Sequence, residues 1–154
     1  MNGGHLTRLD RIWAEQPVFF ITTCTASRRR QLSSPQMHTI CCDVWSIVSE
    51  RHGWRVGRYV LMTDHVHFFC APLEACRPLS LLVGKWKEWT AKRAARELNL
   101  AVPLWQEEFF DHVLRSQESY EQKWIYVRDN PVRAGLVSNA NNWPYQGELQ
   151  ELRY

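Results

Sequence analysis

β-branched and aromatic residues dominate Val18-Phe19-Phe20-Ile21-Thr22-Thr23-Cys24-Thr25, and the run reads as a first strand. Pro35 suits the opening turn of a helix, and after it Ile40, Val44, Ile47 and Val48 recur at helical spacing until His52-Gly53 stops the pattern. Trp54 to Met62 and Val66 to Ala71 supply strand material broken at Thr63-Asp64, either by a tight turn or by a continuous bend. A second helix is expected from about Leu79 to Asn99, with Ser80 available as its cap, followed by an extended segment around Leu104 to Phe110. That order matches the split βαβ of a ferredoxin-like α+β fold built on an antiparallel sheet.

A further helix follows as an addition to this core. Ser119 with Gln122 three residues on has the form of a capping box, and Ser116 could equally start the helix a turn earlier. Pro131 ends it, because a proline disfavours helical backbone in the residue before it. Tyr126 and Asn130 then stand four residues apart on one face of the last turns. Tyr120 lies nearly opposite Tyr126 on the helical wheel, so the two cannot face one site together. Tyr120 and Tyr59 are read as packing residues.

Within Leu61-Met62-Thr63-Asp64-His65-Val66-His67-Phe68-Phe69-Cys70, two histidines flank one apolar residue inside a strand-like stretch. Strand side chains two apart share a face, so His65 and His67 project together and offer half of a divalent-metal site. The same pattern fits two histidines satisfied within the fold. Burying two imidazoles is costly unless each nitrogen finds a partner, so either case demands neighbours. Asp64 is placed to fix an imidazole tautomer or to serve as a turn residue. For Asp111-His112, bracing the added helix is preferred over contact with water or DNA, and His5, His38 and His52 are read as surface or terminal.

The length of 154 residues suits one domain, spanning 1–154 with its core over about 17–145 and with both termini, including the tail after Gly147, loosely held. There is no apolar run of bilayer length, and Met1-Asn2-Gly3-Gly4-His5 lacks a signal-peptide pattern, so a cytoplasmic protein without membrane contact is expected. The five cysteines have no C-x-x-C spacing and are read as buried thiols, not a zinc site. A net charge of +3 does not by itself announce nucleic acid. Two clusters say more: Arg28, Arg29 and Arg30, and the helix bearing Lys85, Lys87 and Arg93 with Trp86 and Trp89 interleaved.

Taken together, Asp64-His65-Val66-His67 and Tyr126-Val127-Arg128-Asp129-Asn130-Pro131-Val132-Arg133-Ala134-Gly135-Leu136-Val137 resemble the HUH-type single-tyrosine transposases. The second block is similar to that of the REP-associated tyrosine transposases, a subgroup related to small insertion-sequence transposases. Trp105 to Arg115 and Trp143-Pro144-Tyr145 also look like blocks of this family, so the resemblance runs from about Pro17 to Tyr145.

The resemblance implies a metal-dependent single-stranded DNA endonuclease and strand transferase that cuts near hairpins through a 5′-phosphotyrosine intermediate. Tyr126 would be the nucleophile. His65, His67 and Asn130 would hold Mg2+ or Mn2+, Asn130 standing where small insertion-sequence members typically carry glutamine. The implied partner is single-stranded DNA bearing REP-like palindromes in a bacterial nucleoid, with Arg28, Arg29, Arg30, Lys85, Lys87 and Arg93 as candidate contacts. Monomer and homodimer are both compatible. A non-catalytic hairpin binder and a metal-dependent nuclease using water are the alternatives.

Overall fold

A computed structural model describes residues 17–152. The expectations for the first residues, His5 included, lie outside the described residues. The chain runs β1 (Val18–Cys24), α1 (Pro35–His52), β2 (Trp54–Leu61), β3 (His65–Pro72), α2 (Leu79–Leu98), β4 (Phe110–Leu114), α3 (Gln117–Arg128), α4 (Asn130–Arg133) and β5 (Gln146–Glu148). The strands form one sheet in the order β4-β1-β3-β2-β5, every neighbouring pair antiparallel. Its first four positions are the ferredoxin-like order, and β5 is an added edge.

Alternation along the strands gives the sheet two different faces. Ile21, Tyr59, Leu61, Val66, Phe68 and Cys70 meet α1 and α2 in the larger core. There Trp45 and Trp86 stack at 4.9 Å and Trp105 lies 5.0 Å from Trp86. The indole N–H groups of Trp86 and Trp105 donate to the Cys41 carbonyl and to Thr90 Oγ1, so no polar cost offsets their burial. The opposite face, through Val18, Val60, Phe69 and Leu114, receives Tyr120 and Val127 of α3. Arg58 of β2 reinforces that contact, pairing with Glu121 at 3.2 Å and lying over the rings of Tyr120 and Trp124.

Helix α1 begins and ends as its sequence suggests. Ser34 Oγ accepts from the Met37 amide, Pro35 opens the first turn, and Gly53 closes the helix at φ 76°, a conformation that favours glycine. Ile47 is an exception to the apolar stripe: it is 49% exposed, while Met37, Cys41 and Trp45 complete the buried side. Helix α2 is preceded by Pro78 in place of a capping serine, and Ser80 lies inside its first turn. The break at Thr63-Asp64 is a tight hairpin in which the Met62 amide donates to the His65 carbonyl.

Three expectations are corrected. The last core strand is Phe110–Leu114, not Leu104 to Phe110; of the earlier segment only Trp105 makes a β-bridge, to Thr25 just past the end of β1. The tail after Gly147 is held in place: Leu149 and Gln150 donate backbone bonds to Gly57 and Val56, and Leu152 is buried. Cys24, Cys41 and Cys70 are buried as expected, but Cys76 is exposed because it lies in the loop before α2.

Candidate active site

His65 and His67 occupy the face of β3 that α3 covers, since Phe69, two residues further, is part of the smaller core. Their ring centroids are 4.8 Å apart and nearly perpendicular. Each Nδ1 has a partner. Asp64 Oδ1 lies 2.8 Å from His65 Nδ1, and Thr22 Oγ1 lies 2.8 Å from His67 Nδ1. With each Nδ1–H donated outward, both Nε2 atoms keep their lone pairs for a shared ligand.

The surroundings keep His67 neutral. Burial is the largest cause, and the positive neighbours His65, Lys123 and Arg133 add to it, bringing the imidazole down to about 3. Neutral imidazole is the metal-binding form. Burial by itself would raise the Asp64 carboxyl, but bonds from Arg28 and His65 outweigh it and hold the group below its ordinary value. Arg28 Nε meets Asp64 Oδ2 at 3.0 Å, so Arg28 supports the tautomer-fixing carboxylate.

Tyr126 reaches this face from α3. The helix starts at Gln117 because Ser116 Oγ accepts from the Ser119 amide, so the earlier of the two candidate starts applies. Val127 and Tyr120 pin the helix to the sheet, and Tyr126 is left 61% exposed beside them. A run of contacts joins it to the histidines: Phe20 stacks on His67 at 5.2 Å, Lys123 Nζ lies 5.1 Å from the Phe20 ring, and the same ammonium lies 5.9 Å from the Tyr126 ring.

Asn130 does not continue the tyrosine helix. Asp129 terminates α3, and Asn130 opens the four-residue α4 with Pro131 in its first turn. The i to i+4 relation of Tyr126 and Asn130 is therefore remade by a third residue. Arg133 Nη2 donates to both the Tyr126 carbonyl and Asn130 Oδ1, and its guanidinium lies over the Tyr126 ring. Gly135, at φ 74°, turns the chain away after α4.

The remaining candidates divide. Lys85, Lys87 and Arg93 belong to α2, on the sheet face opposite the histidines. Lys87 Nζ donates to the carbonyls of Gln106, Glu107 and Glu108, bracing the loop before β4. Arg93 pairs with Glu97 and Asp43, and Lys85 with Glu88. Arg29 reaches the Pro103 carbonyl at 3.5 Å, and Arg30 is exposed. His112 is exposed and, with Leu114, Ser119, Gln122, Lys123 and Tyr126, lines a cleft against α3, while Leu114 does the packing. His38 is no surface residue, since it is half-buried with Nε2 2.6 Å from the Tyr59 hydroxyl.

Sequence reasoning missed Thr22, Phe20, Lys123 and Arg133. No local signal links Thr22 to a histidine 45 residues away; strand register makes that pair. Lys123 was within reach, because three residues before Tyr126 on a helix is a neighbouring position. Among the described residues no cluster of three His, Cys, Asp or Glu side chains is arranged to hold a metal. Two imidazoles with free Nε2 atoms do suit a divalent ion, and the carboxamide oxygen of Asn130, bonded to the Arg133 whose charge acts on His67, is a fitting hard donor with a second lone pair beyond the one Arg133 uses.

A family described as "Transposase IS200 like" matches residues 18–129. A REP-associated tyrosine transposase of Escherichia coli (strain K12) is 24% identical over 140 residues, covering 91% of this chain and 81% of the relative. The solved structure of a REP-associated tyrosine transposase bound to a REP hairpin superposes with a TM-score of 0.74 at 21% identity, covering 87% of this chain and 78% of that one. A candidate transposase of Deinococcus radiodurans R1 superposes with a TM-score of 0.56 at 17% identity, covering 74% of this chain and 90% of that one.

Proposed function

The chain belongs to the IS200-like transposase family, and on that premise we propose that it cuts and rejoins single-stranded DNA beside hairpins, with Tyr126 as nucleophile. The observation that carries this reading is the arrival of exposed Tyr126 on the same sheet face as His65 and His67 of the same chain, through Phe20 and Lys123. The relative solved with a REP hairpin supports hairpin DNA as substrate class. Acting in this way places the protein with bacterial DNA in the cytoplasm. No helix among the described residues is long and apolar enough to cross a membrane.

His65 and His67, through Nε2, and Asn130, through Oδ1, would hold Mg2+ or Mn2+. When bound, that ion neutralises phosphate charge and favours attack by an oxygen nucleophile. The residues of the chain do the rest. Thr22 and Asp64 orient the imidazoles, and Lys123 attracts the phosphate to the cleft beside Tyr126. The Tyr126 oxygen forms a bond to phosphorus as the bond to the 3′ oxygen breaks. The phenol proton is released, the leaving oxygen departs as a 3′-hydroxyl, and the 5′-phosphate stays on tyrosine. Rejoining reverses these steps with another 3′-hydroxyl, so no nucleotide cofactor is consumed. Because the tyrosine helix packs on its own sheet, we take the monomer as the acting unit.

The test is a denaturing gel of labelled single-stranded DNA carrying hairpins from the flanks of the gene, incubated with manganese and either the parent or Tyr126→Phe. A covalent protein–DNA band with the parent, absent with the variant or a chelator, is the expected result. Cleavage by the variant without an adduct would instead mean a nuclease using water. Retardation of uncut DNA in a native gel, with no cleavage by either protein, would mean a hairpin-binding protein.

A further inference from the structure

We propose that Phe110, with His112 beside it, is a stacking platform for an unpaired nucleobase next to the cleaved phosphate. This rests on the DNA strand-transfer reading and adds the part of the site that grips the nucleotide.

Strand alternation and register place the two side chains. Leu114 of β4 is buried under α3, so Phe110 and His112, at even spacing from it, project from the same face. Phe110 pairs with Thr22, which pairs in turn with His67, while His112 pairs with Phe20. Phe110 therefore stands in the same cross-sheet row as the metal-type histidine, two strand spacings or about 10 Å away. His112 shares its cleft with Lys123 and Tyr126.

Single exposed apolar residues are ordinary, so exposure alone says little. Position separates Phe110 from the rest. The residue is 66% exposed and stands two positions along β4 from His112, which lines the cleft together with the nucleophile and an ammonium. A phosphate drawn between Tyr126, Lys123 and the histidine pair leaves its attached base within reach of β4. Every base has a flat face that stacks on an aromatic ring, and an ammonium beside such rings is the usual setting for a single strand.

The test uses fluorescein-labelled DNA hairpins with unpaired thymidine arms, and matched hairpins whose arms are abasic. Binding is measured by anisotropy for the parent, Phe110→Ala, Phe110→Leu and Phe110→Trp. The parent should lose at least about tenfold in affinity when the arm bases are removed. Phe110→Ala and Phe110→Leu should bind the thymidine probe as weakly as the parent binds the abasic one, and Phe110→Trp should keep the preference. Thermal melting checks that the exposed substitutions leave the fold intact. A Phe110→Ala protein that still discriminates between the probes overturns the proposal. So does a shift in sedimentation with Phe110→Ala, because the residue would then serve contact between two copies at the β4 edge. Adduct formation by the parent is scored separately, so failure of the strand-transfer reading shows there and not in the base preference.

Discussion

The guanidinium carbon of Arg133 lies 3.9 Å from the centre of the Tyr126 ring, and its Nη2 stands 2.6 Å from both the Tyr126 carbonyl and Asn130 Oδ1. One side chain thereby spans the break between α3 and α4 and holds the proposed nucleophile and the proposed third ligand in register. The planar fork of arginine can stack and donate at once, whereas lysine acts as a point charge. Arg133→Ala should slow adduct formation by about a hundredfold, since small misplacements of a reacting group carry costs of that order. Hairpin affinity should change far less, and Arg133→Lys should recover only a small part of the rate. Single-turnover kinetics alongside binding isotherms separate the two effects.

Thr22 and Asp64 each hold the Nδ1 of one histidine. Outer partners of this kind fix ligand orientation and are worth about 10- to 100-fold in metal affinity. Thr22→Val, nearly the same shape, should weaken manganese binding by about tenfold without unfolding the sheet. Isothermal titration with manganese alone measures this, and unchanged affinity would remove Thr22 from the site.

Lys87, read from the sequence as a candidate DNA contact, and Lys123, which was not, have different tasks. Lys87→Ala removes a cation that three carbonyls share and should cost about 1–3 kcal/mol in urea unfolding. It should leave the salt dependence of DNA binding unchanged. Lys123→Ala should lower the slope of log affinity against log salt by about 0.7, the value for one phosphate contact on a single strand.

His38 gives the fold an acid-sensitive point on the other side of the sheet. Burial pushes its imidazole below the ordinary 6.5, beside the Tyr59 hydroxyl. Below 6.5 the unfolded chain binds more protons than the folded one at this position. The stability contributed by keeping His38 neutral is therefore present above 6.5 and lost as the pH falls through the lower, folded value. Urea unfolding between about pH 5 and pH 8 should show a shallower acid decline for His38→Gln than for the parent. Equal slopes would rule the effect out.

The split βαβ order was legible because it rests on local signals. Ser34 and Pro35 start α1, Gly53 ends it, and aromatic and β-branched runs mark β1 to β3. The edge strand was displaced in the reading because Leu104 and Trp105 are as apolar as a strand. Their burial comes from α2 and the Trp86 stack, not from sheet pairing.

At the site, the chain alone determined that His65 and His67 share a face and that a tyrosine helix follows, since both facts depend only on spacing within one element. Tertiary structure decided which face that is and what surrounds it. Thr22 meets His67 through antiparallel register, and Arg133 reaches Tyr126 through the turn at Asp129. Packing over both sheet faces sends Lys87 to one layer and Lys123 to the other. Periodicity encodes contacts a few residues apart, whereas contacts across the sheet are chosen by how whole elements pack together.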